Sequence, residues 1–95
     1  MNKYTFTSFT ELATSDGFNY PVDVKYGVIF LGTLIAKPDG YVISLISTPH
    51  RSQSITQSNT NKFKSLNLAA EVLHKAWKSF RHGDDSAEGN VLVPA

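Results

Sequence analysis

The first half of the chain alternates apolar and polar side chains with the period of two that is typical of β-strands. Residues 3–9 alternate Tyr4 and Phe6 with polar residues, which predicts a strand. The longest such run, residues 22–36, becomes apolar on both faces in its second half, as strands covered on both sides do. Gly27 and Gly32 interrupt this run, and we expect them to mark bulges or bends, or to divide it into two strands.

A turn signal follows at residues 37–40, which read Lys-Pro-Asp-Gly. Proline presets φ for the first turn position, and Gly40 suits the left-handed position that follows the turn. Residues 41–47 regain the composition of a strand, so the sequence predicts a β-hairpin here. Residues 48–62 are dominated by Ser, Thr, Asn and Gln, which indicates a surface loop with a short strand around residues 53–57, or a poorly ordered connection.

The apolar period changes to that of an α-helix at residues 65–82. Ser65 is a natural N-cap, and Gly83 stands where a C′ glycine belongs. At 100° per residue, one stripe of apolar side chains spans about 100° of the helix surface: Leu66, Ala69, Ala70, Leu73, Trp77 and Phe80. Leu68 and Val72 lie on a flank outside this stripe, where the N-terminal strand or an oligomer contact would cover them.

These elements predict an α+β fold, with a three- to four-stranded, mainly antiparallel sheet and one C-terminal helix packed on one face. We expect residues 1–83 to form a single domain and residues 84–95 to form an acidic, flexible tail. A helix of about 17 residues is roughly 25 Å long and cannot cover both faces of the sheet. The helix would leave five apolar side chains uncovered, and a homodimer would cover them. These residues are Ile29, Leu31, Ile35, Leu68 and Val72.

The length and the absence of cysteine narrow the range of protein classes. At 95 residues the chain fits one domain. Without cysteine it forms no disulfide, zinc–thiolate site or reactive thiol. The N-terminal residues lack the apolar segment of a signal peptide, and the longest apolar stretch is far too short to span a bilayer. We therefore expect a soluble, cytoplasmic protein that does not associate with membranes.

The formal net charge is only +1, but the charges are unevenly distributed. Residues 1–36 carry a net −1, residues 37–82 carry seven Lys or Arg against two acidic residues, and the remainder carries a net −3. The middle segment therefore supplies a candidate phosphate-binding surface on the helix and the preceding loop. Its six cations are Arg51, Lys62, Lys64, Lys75, Lys78 and Arg81. Cations near a helix C-terminus also complement the macrodipole, and a charged outer face keeps a domain soluble.

No segment of the chain has the pattern of a catalytic or cofactor-binding motif. The sequence lacks a G-x-S-x-G elbow, a G-x-x-x-x-G-K-[ST] loop and a G-x-G-x-x-G fingerprint. His74 and His82 are two helical turns apart, too far to share a metal unless Asp84 or Asp85 folds back as a third ligand. We therefore expect a protein that is not an enzyme and that holds no cofactor and no metal.

Two short patterns resemble known families. Phe63-x-Ser65-x-x-x-Ala69-Ala70 after a hairpin is similar to the strand-to-helix entry of AP2-type and integrase arm-type DNA-binding domains, as is the layout over residues 24–81. Those domains read DNA with strands rich in Arg and Trp, whereas the strands here are apolar and nearly uncharged. The Asp39-Gly40-Tyr41 turn resembles that of HicB-like antitoxins, although their linking segment is missing. Neither resemblance assigns a role to a residue of this chain.

Two functions remain open from the sequence. The first is a small, non-catalytic binding or regulatory protein that acts through protein–protein contacts as a homodimer. The second is a nucleic-acid-binding module that uses the basic helix face and the preceding loop. The first depends on apolar side chains that the helix leaves uncovered, and the second on the six cations listed above being accessible together.

Overall fold

The computed structural model describes residues 3–14, 19–55 and 62–81 of the 95-residue chain. Five strands form one antiparallel sheet in chain order, each hydrogen-bonded to the next. The elements are β1 (Tyr4–Ser8), β2 (Tyr20–Tyr26), β3 (Ile29–Lys37), β4 (Gly40–Ser47), β5 (Ser52–Ser54) and α1 (Leu66–Arg81), with a short 3-10 turn at Thr10–Leu12. The predicted α+β class, with one C-terminal helix packed on an antiparallel sheet, is confirmed, with one strand more than expected.

Gly27 divides the long apolar run into two strands. It has a φ of +62° at the first position of the two-residue turn Gly27–Val28, and Val28 has no positive φ. This combination matches a type II′ turn, whose twist suits the two strands that it joins. The predicted hairpin at residues 37–40 is also confirmed, because β3 pairs with β4 up to Lys37 and Gly40.

Gly32 lies inside β3, where the sheet is irregular on both sides. Leu31 is an extra residue relative to β2, because Val24 pairs with Gly32 and Lys25 with Phe30. On the other side Ser44 is an extra residue of β4. A Cβ at Gly32 would overlap the carbonyl oxygen of Leu45, so the close approach of β3 and β4 requires glycine.

The helix is fixed to the sheet at both of its ends. At its start, Phe63 and Tyr41 exchange two backbone hydrogen bonds of 2.8 Å, and the Leu68 N–H donates to the Ser65 hydroxyl at 3.0 Å, as the N-cap prediction requires. Near its end, the Trp77 indole N–H donates to the Ser47 carbonyl at 2.6 Å. The helix therefore runs along β4, from its first residues to its last. The predicted C-cap at Gly83 and the acidic tail lie outside the described residues.

We call the face of the sheet beneath the helix the inner face, and it carries the core. The predicted helix stripe is confirmed, with Leu66 half-buried and Ala76 as a further buried member. Ile55 and Phe63 close the core beyond the strands. The strand residues buried beneath the helix are Val22, Val24, Leu31, Leu34, Ala36, Ile43 and Ile46.

Candidate protein-binding surface

The opposite, outer face of the sheet is apolar along its middle strands. Pairing places Pro21, Ile35 and Val42 side by side across β2, β3 and β4. Leu45 lies beside Thr33, and Phe30 lies opposite Lys25. We call Pro21, Phe30, Ile35, Val42 and Leu45 the outer strip; Val42 is 1% exposed, and the other four are half-buried.

The rest of the outer face is polar. Thr5 and Thr7 of β1 lie beside Lys25 and Asp23 of β2. The Thr33 hydroxyl, between Phe30 and Ile35 on β3, donates to the Asp23 carboxylate at 2.9 Å. The apolar part of the outer face therefore has a defined edge, as contact surfaces rimmed by polar residues do.

A shallow pocket lies at each end of the strip. The first, of about 240 Å³, is lined by Leu12, Thr14, Asn19, Tyr20, Pro21 and Ile35. The second, of about 410 Å³, is lined by Val28, Ile29, Phe30, Ser47, Thr48 and Pro49. Leu12 is 63% exposed and Val28 is 96% exposed, so both pockets have an apolar rim open to solvent.

The five predicted interface residues lie in different parts of the structure. Ile35 lies in the outer strip, and Ile29 lies in the pocket beside it with 42% of its surface exposed. Leu31 is fully buried in the core, because the bulge turns it to the inner face, so it is not available to a partner. Leu68 is 41% exposed, whereas Val72 packs against the core.

The helix flank that carries Leu68 and Val72 faces away from β1. At 100° per residue, these two residues and His74 lie on opposite sides of the buried stripe. His74 contacts Tyr4 of β1, since the Tyr4 hydroxyl and His74 Nδ1 are 3.0 Å apart. Coverage of Leu68 and Val72 by the N-terminal strand, one of the two expectations, is therefore wrong.

The six predicted nucleic-acid-binding cations are all exposed, but they lie in two groups. Lys62 and Lys64 precede the helix, while Lys78 and Arg81 lie in its last turn, roughly 20 Å further along the axis. The Arg51 guanidinium lies beside this last turn, donating to the Phe80 carbonyl at 2.8 Å and covering the Phe80 ring at 3.9 Å. Lys75 lies one turn earlier on the helix surface.

The first of these groups borders a small charged pocket. Lys62 Nζ and the Asp39 carboxylate form an exposed ion pair at 2.6 Å. The pKa of Asp39 is lowered by this hydrogen bond to Lys62, with further contributions from its own backbone and from the charges of Lys62 and Lys37. A pocket of about 300 Å³ adjoins it, lined by residues 37–41 and Lys64. A carboxylate therefore offsets part of the positive charge at this end of the helix.

Tyr4, Tyr26 and His74 form an aromatic cluster between the first two strands and the helix. The rings of Tyr26 and His74 are 4.5 Å apart between centroids, and those of Tyr4 and Tyr26 are 5.4 Å apart. Burial, with Lys78 nearby, lowers the pKa of His74. Burial, with Glu71 and Tyr26 nearby, raises the pKa of Tyr4. Both shifts favour the neutral side chains, so the cluster joins β1 to the helix without charge.

The sequence pattern missed most of the outer strip because it assumed unbroken alternation. Strict alternation assigns Phe30 to the same face as Val24 and Leu34, whereas the extra residue Leu31 places Phe30 on the outer face. The extra residue Ser44 likewise reverses the face of Leu45 relative to Tyr41. Gly32, an isolated glycine inside a strand pattern, was the available signal for a bulge.

The described ranges contain no cluster of three or more His, Cys, Asp or Glu residues arranged to hold a metal ion. Among the helices in those ranges, none has the length and apolar character needed to cross a membrane. No protein-family model matches the chain, and neither do a curated protein or a solved structure.

Proposed function

We propose that this chain is a non-catalytic binding domain that acts through protein–protein contacts as a homodimer, and that the outer strip is the surface that meets the partner protein. The observation that carries the proposal is the set of apolar side chains on the outer face, four of them half-buried and Val42 buried, with polar residues beside them on β1 and β2. Single exposed apolar residues are ordinary, but contiguous patches with a polar rim are typical of protein contact sites.

The pockets at the ends of the strip support the same proposal. Protein interfaces gain most of their affinity where one partner inserts an apolar or aromatic anchor into a pocket of the other. The two pockets share Pro21, Ile35 and Phe30 with the strip, so a partner that covers the strip also reaches both. Leu12, Val28 and Ile29 would then be covered with it.

Site-specific photocross-linking tests this proposal. Ile35 is replaced by p-benzoylphenylalanine in the cells that produce the protein, and Lys75, exposed on the helix at the other side of the domain, is replaced in a matched control. We expect illumination to give a discrete adduct with another polypeptide from position 35 and none from position 75. An equal yield from the two positions, or no adduct from position 35, would contradict the proposal.

Nucleic-acid binding through the six cations stays a prediction. It requires an affinity for DNA or RNA that falls steeply as salt rises, because bound phosphates release counterions. A mobility-shift titration at low salt measures this affinity, with Lys78→Gln and Arg81→Gln removing charge from the larger group. The absence of a shift at low salt would eliminate the hypothesis.

A further inference from the structure

The charged pocket beside the Lys62–Asp39 ion pair is a concave feature of the molecule that is separate from the outer strip. It has a volume of about 300 Å³ and is lined by residues 37–41, at the end of the β3–β4 hairpin, and by Lys64, which precedes the helix. We call it the hairpin pocket. It shares no residue with the outer strip, so the proposed protein contact leaves it without a role.

The backbone holds two distant segments of the chain together at this pocket. Phe63, which is 1% exposed, exchanges two hydrogen bonds of 2.8 Å with Tyr41 of the hairpin. Lys62 and Lys64 flank this buried residue, and both are exposed. The ion pair between Lys62 and Asp39, at 2.6 Å, is a second link between the same two segments. The fold therefore places Lys64 beside the hairpin turn.

The charges around the hairpin pocket do not cancel. Three lysines (Lys37, Lys62 and Lys64) stand against one carboxylate, that of Asp39, which gives a net charge of +2. Lys62 is paired with Asp39, whereas neither Lys37 nor Lys64 forms an ion pair with another residue in the described ranges. The pKa of Asp39 is lowered mainly by its hydrogen bond to Lys62, and the charge of Lys37 is a further cause. A concave surface lined by charges of one sign attracts ions of the other sign.

We infer that the hairpin pocket binds a phosphate group, either free phosphate or the phosphate of a small molecule, between Lys37 and Lys64. A phosphate group carries about two negative charges at neutral pH, which matches the net charge of the pocket, whereas a carboxylate carries one. Lysine binds phosphate as a point charge, without the fixed geometry that an arginine fork requires. Lys37 is not one of the six cations predicted to bind nucleic acid, so this site is distinct from that surface.

Two substitutions at the pocket should change the affinity for phosphate in opposite directions. Asp39→Asn keeps the shape of a side chain that suits a turn, but it removes the carboxylate that repels an anion and releases Lys62 from its ion pair. We expect it to bind phosphate at least about threefold more tightly, and Lys64→Gln at least about threefold more weakly, than the wild type. Lys25→Gln is the matched control, because it removes the same charge opposite Phe30, roughly 20 Å along β3 from the hairpin turn.

An NMR titration of the full chain, labelled with nitrogen-15, measures this binding at an ionic strength held constant with chloride. The probes are inorganic phosphate, glycerol phosphate and, as an anion of single charge, acetate. We expect both phosphate compounds to shift the backbone amide signals around the pocket saturably, at lower concentration than acetate does. Tighter binding of glycerol phosphate than of inorganic phosphate would support the inference and identify a phosphate ester as the ligand. The same spectra show whether each variant is folded.

A lysine at the other end of the helix separates a defined site from general attraction by positive charge. Lys78→Gln leaves the hairpin pocket intact, so we expect it to bind phosphate as Lys25→Gln and the wild type do. Equal weakening in Lys64→Gln and Lys78→Gln, or an affinity for acetate equal to that for phosphate, would overturn the inference. So would an unchanged affinity in both Asp39→Asn and Lys64→Gln. None of these results would affect the proposed contact through the outer strip, which shares no residue with the pocket.

Discussion

The inner and outer faces of the sheet are built from neighbouring residues of the same strands, yet they differ in how deeply their side chains are buried. Leu34 is fully buried beneath the helix, while the next residue, Ile35, is half-buried on the outer face. Both are large and aliphatic, so composition does not distinguish them. The difference arises because one 16-residue helix covers one face only. Apolar content on the inner face stabilises the domain, whereas four of the five side chains of the outer strip stay partly exposed to solvent.

The largest effect that we expect contrasts these two neighbours. Leu34→Ala removes a side chain packed on all sides and leaves a cavity, and should lower the free energy of unfolding by about 4 kcal/mol. Ile35→Ala should lower it by about 1 kcal/mol or less, because the side chain is already partly in water. Urea denaturation of the two variants measures both values. Equal losses would show that the outer face is as much a part of the core as the inner face.

A second substitution tests the bulge that assigns residues to the two faces. In Gly32→Ala the new methyl group overlaps the Leu45 carbonyl oxygen, so we expect a loss of about 3 kcal/mol from overpacking between β3 and β4. Gly27→Ala is the control, since its Cβ meets no atom within 4 Å and only the positive φ opposes it. That control should lose about 1 kcal/mol. If Gly32→Ala is no worse than Gly27→Ala, the close approach at Leu45 is absent.

The smallest effect concerns the cluster that attaches β1 to the inner side. The pKa of His74 is lowered by burial and by Lys78, with Tyr4 and Tyr26 packed against the ring. In the unfolded chain His74 has the ordinary pKa of 6.5, which is higher than in the folded domain. At a pH below this value His74 therefore binds a proton more readily in the unfolded chain than in the folded domain. Stability contributed by neutral His74 is fully present above that value and is lost as the pH falls towards the folded-state pKa.

Thermal unfolding at a series of pH values checks this sign. We expect the melting temperature of the wild type to fall between about pH 7 and pH 5, and to fall less in His74→Gln, which cannot titrate. The Tyr4→Phe variant keeps the ring of Tyr4 but loses the hydrogen bond to His74, so it should retain most of the slope that burial causes. A steeper slope in His74→Gln than in the wild type would reverse the account.

Local signals in the sequence were sufficient for the hairpin turn and the helix, while the assignment of faces depended on contacts between distant residues. The Lys-Pro-Asp-Gly turn, the Ser65 cap and the helical stripe each depend on residues close together in the chain, and all three are confirmed. The face of Phe30 depends on the extra residue Leu31, which is defined by the pairing of β3 with β2. Strict alternation has no place for an extra residue, so it assigned Leu31 to the wrong face.

The sequence predicted that apolar side chains would remain uncovered by the helix, but it did not predict which residues these are. One helix covers only one face of a sheet, so some apolar surface must remain uncovered. Ile29 and Ile35 both lie on such surface and are partly exposed. Leu45 was missed because nothing in the sequence marks Ser44 as the extra residue that reverses the face of Leu45. The positions of the six cations could not be predicted either, because Arg51 meets the helix end only through the fold.

The most direct test of the account combines contact and stability in one protein. p-Benzoylphenylalanine is placed at Leu45, in the outer strip, with and without Ile35→Lys, and the cross-linked adduct and the free energy of unfolding are both measured. We predict that Ile35→Lys abolishes the adduct while lowering the free energy of unfolding by no more than about 2 kcal/mol. An adduct that survives the substitution, or a domain that unfolds because of it, would contradict the claim that the outer strip serves contact rather than folding.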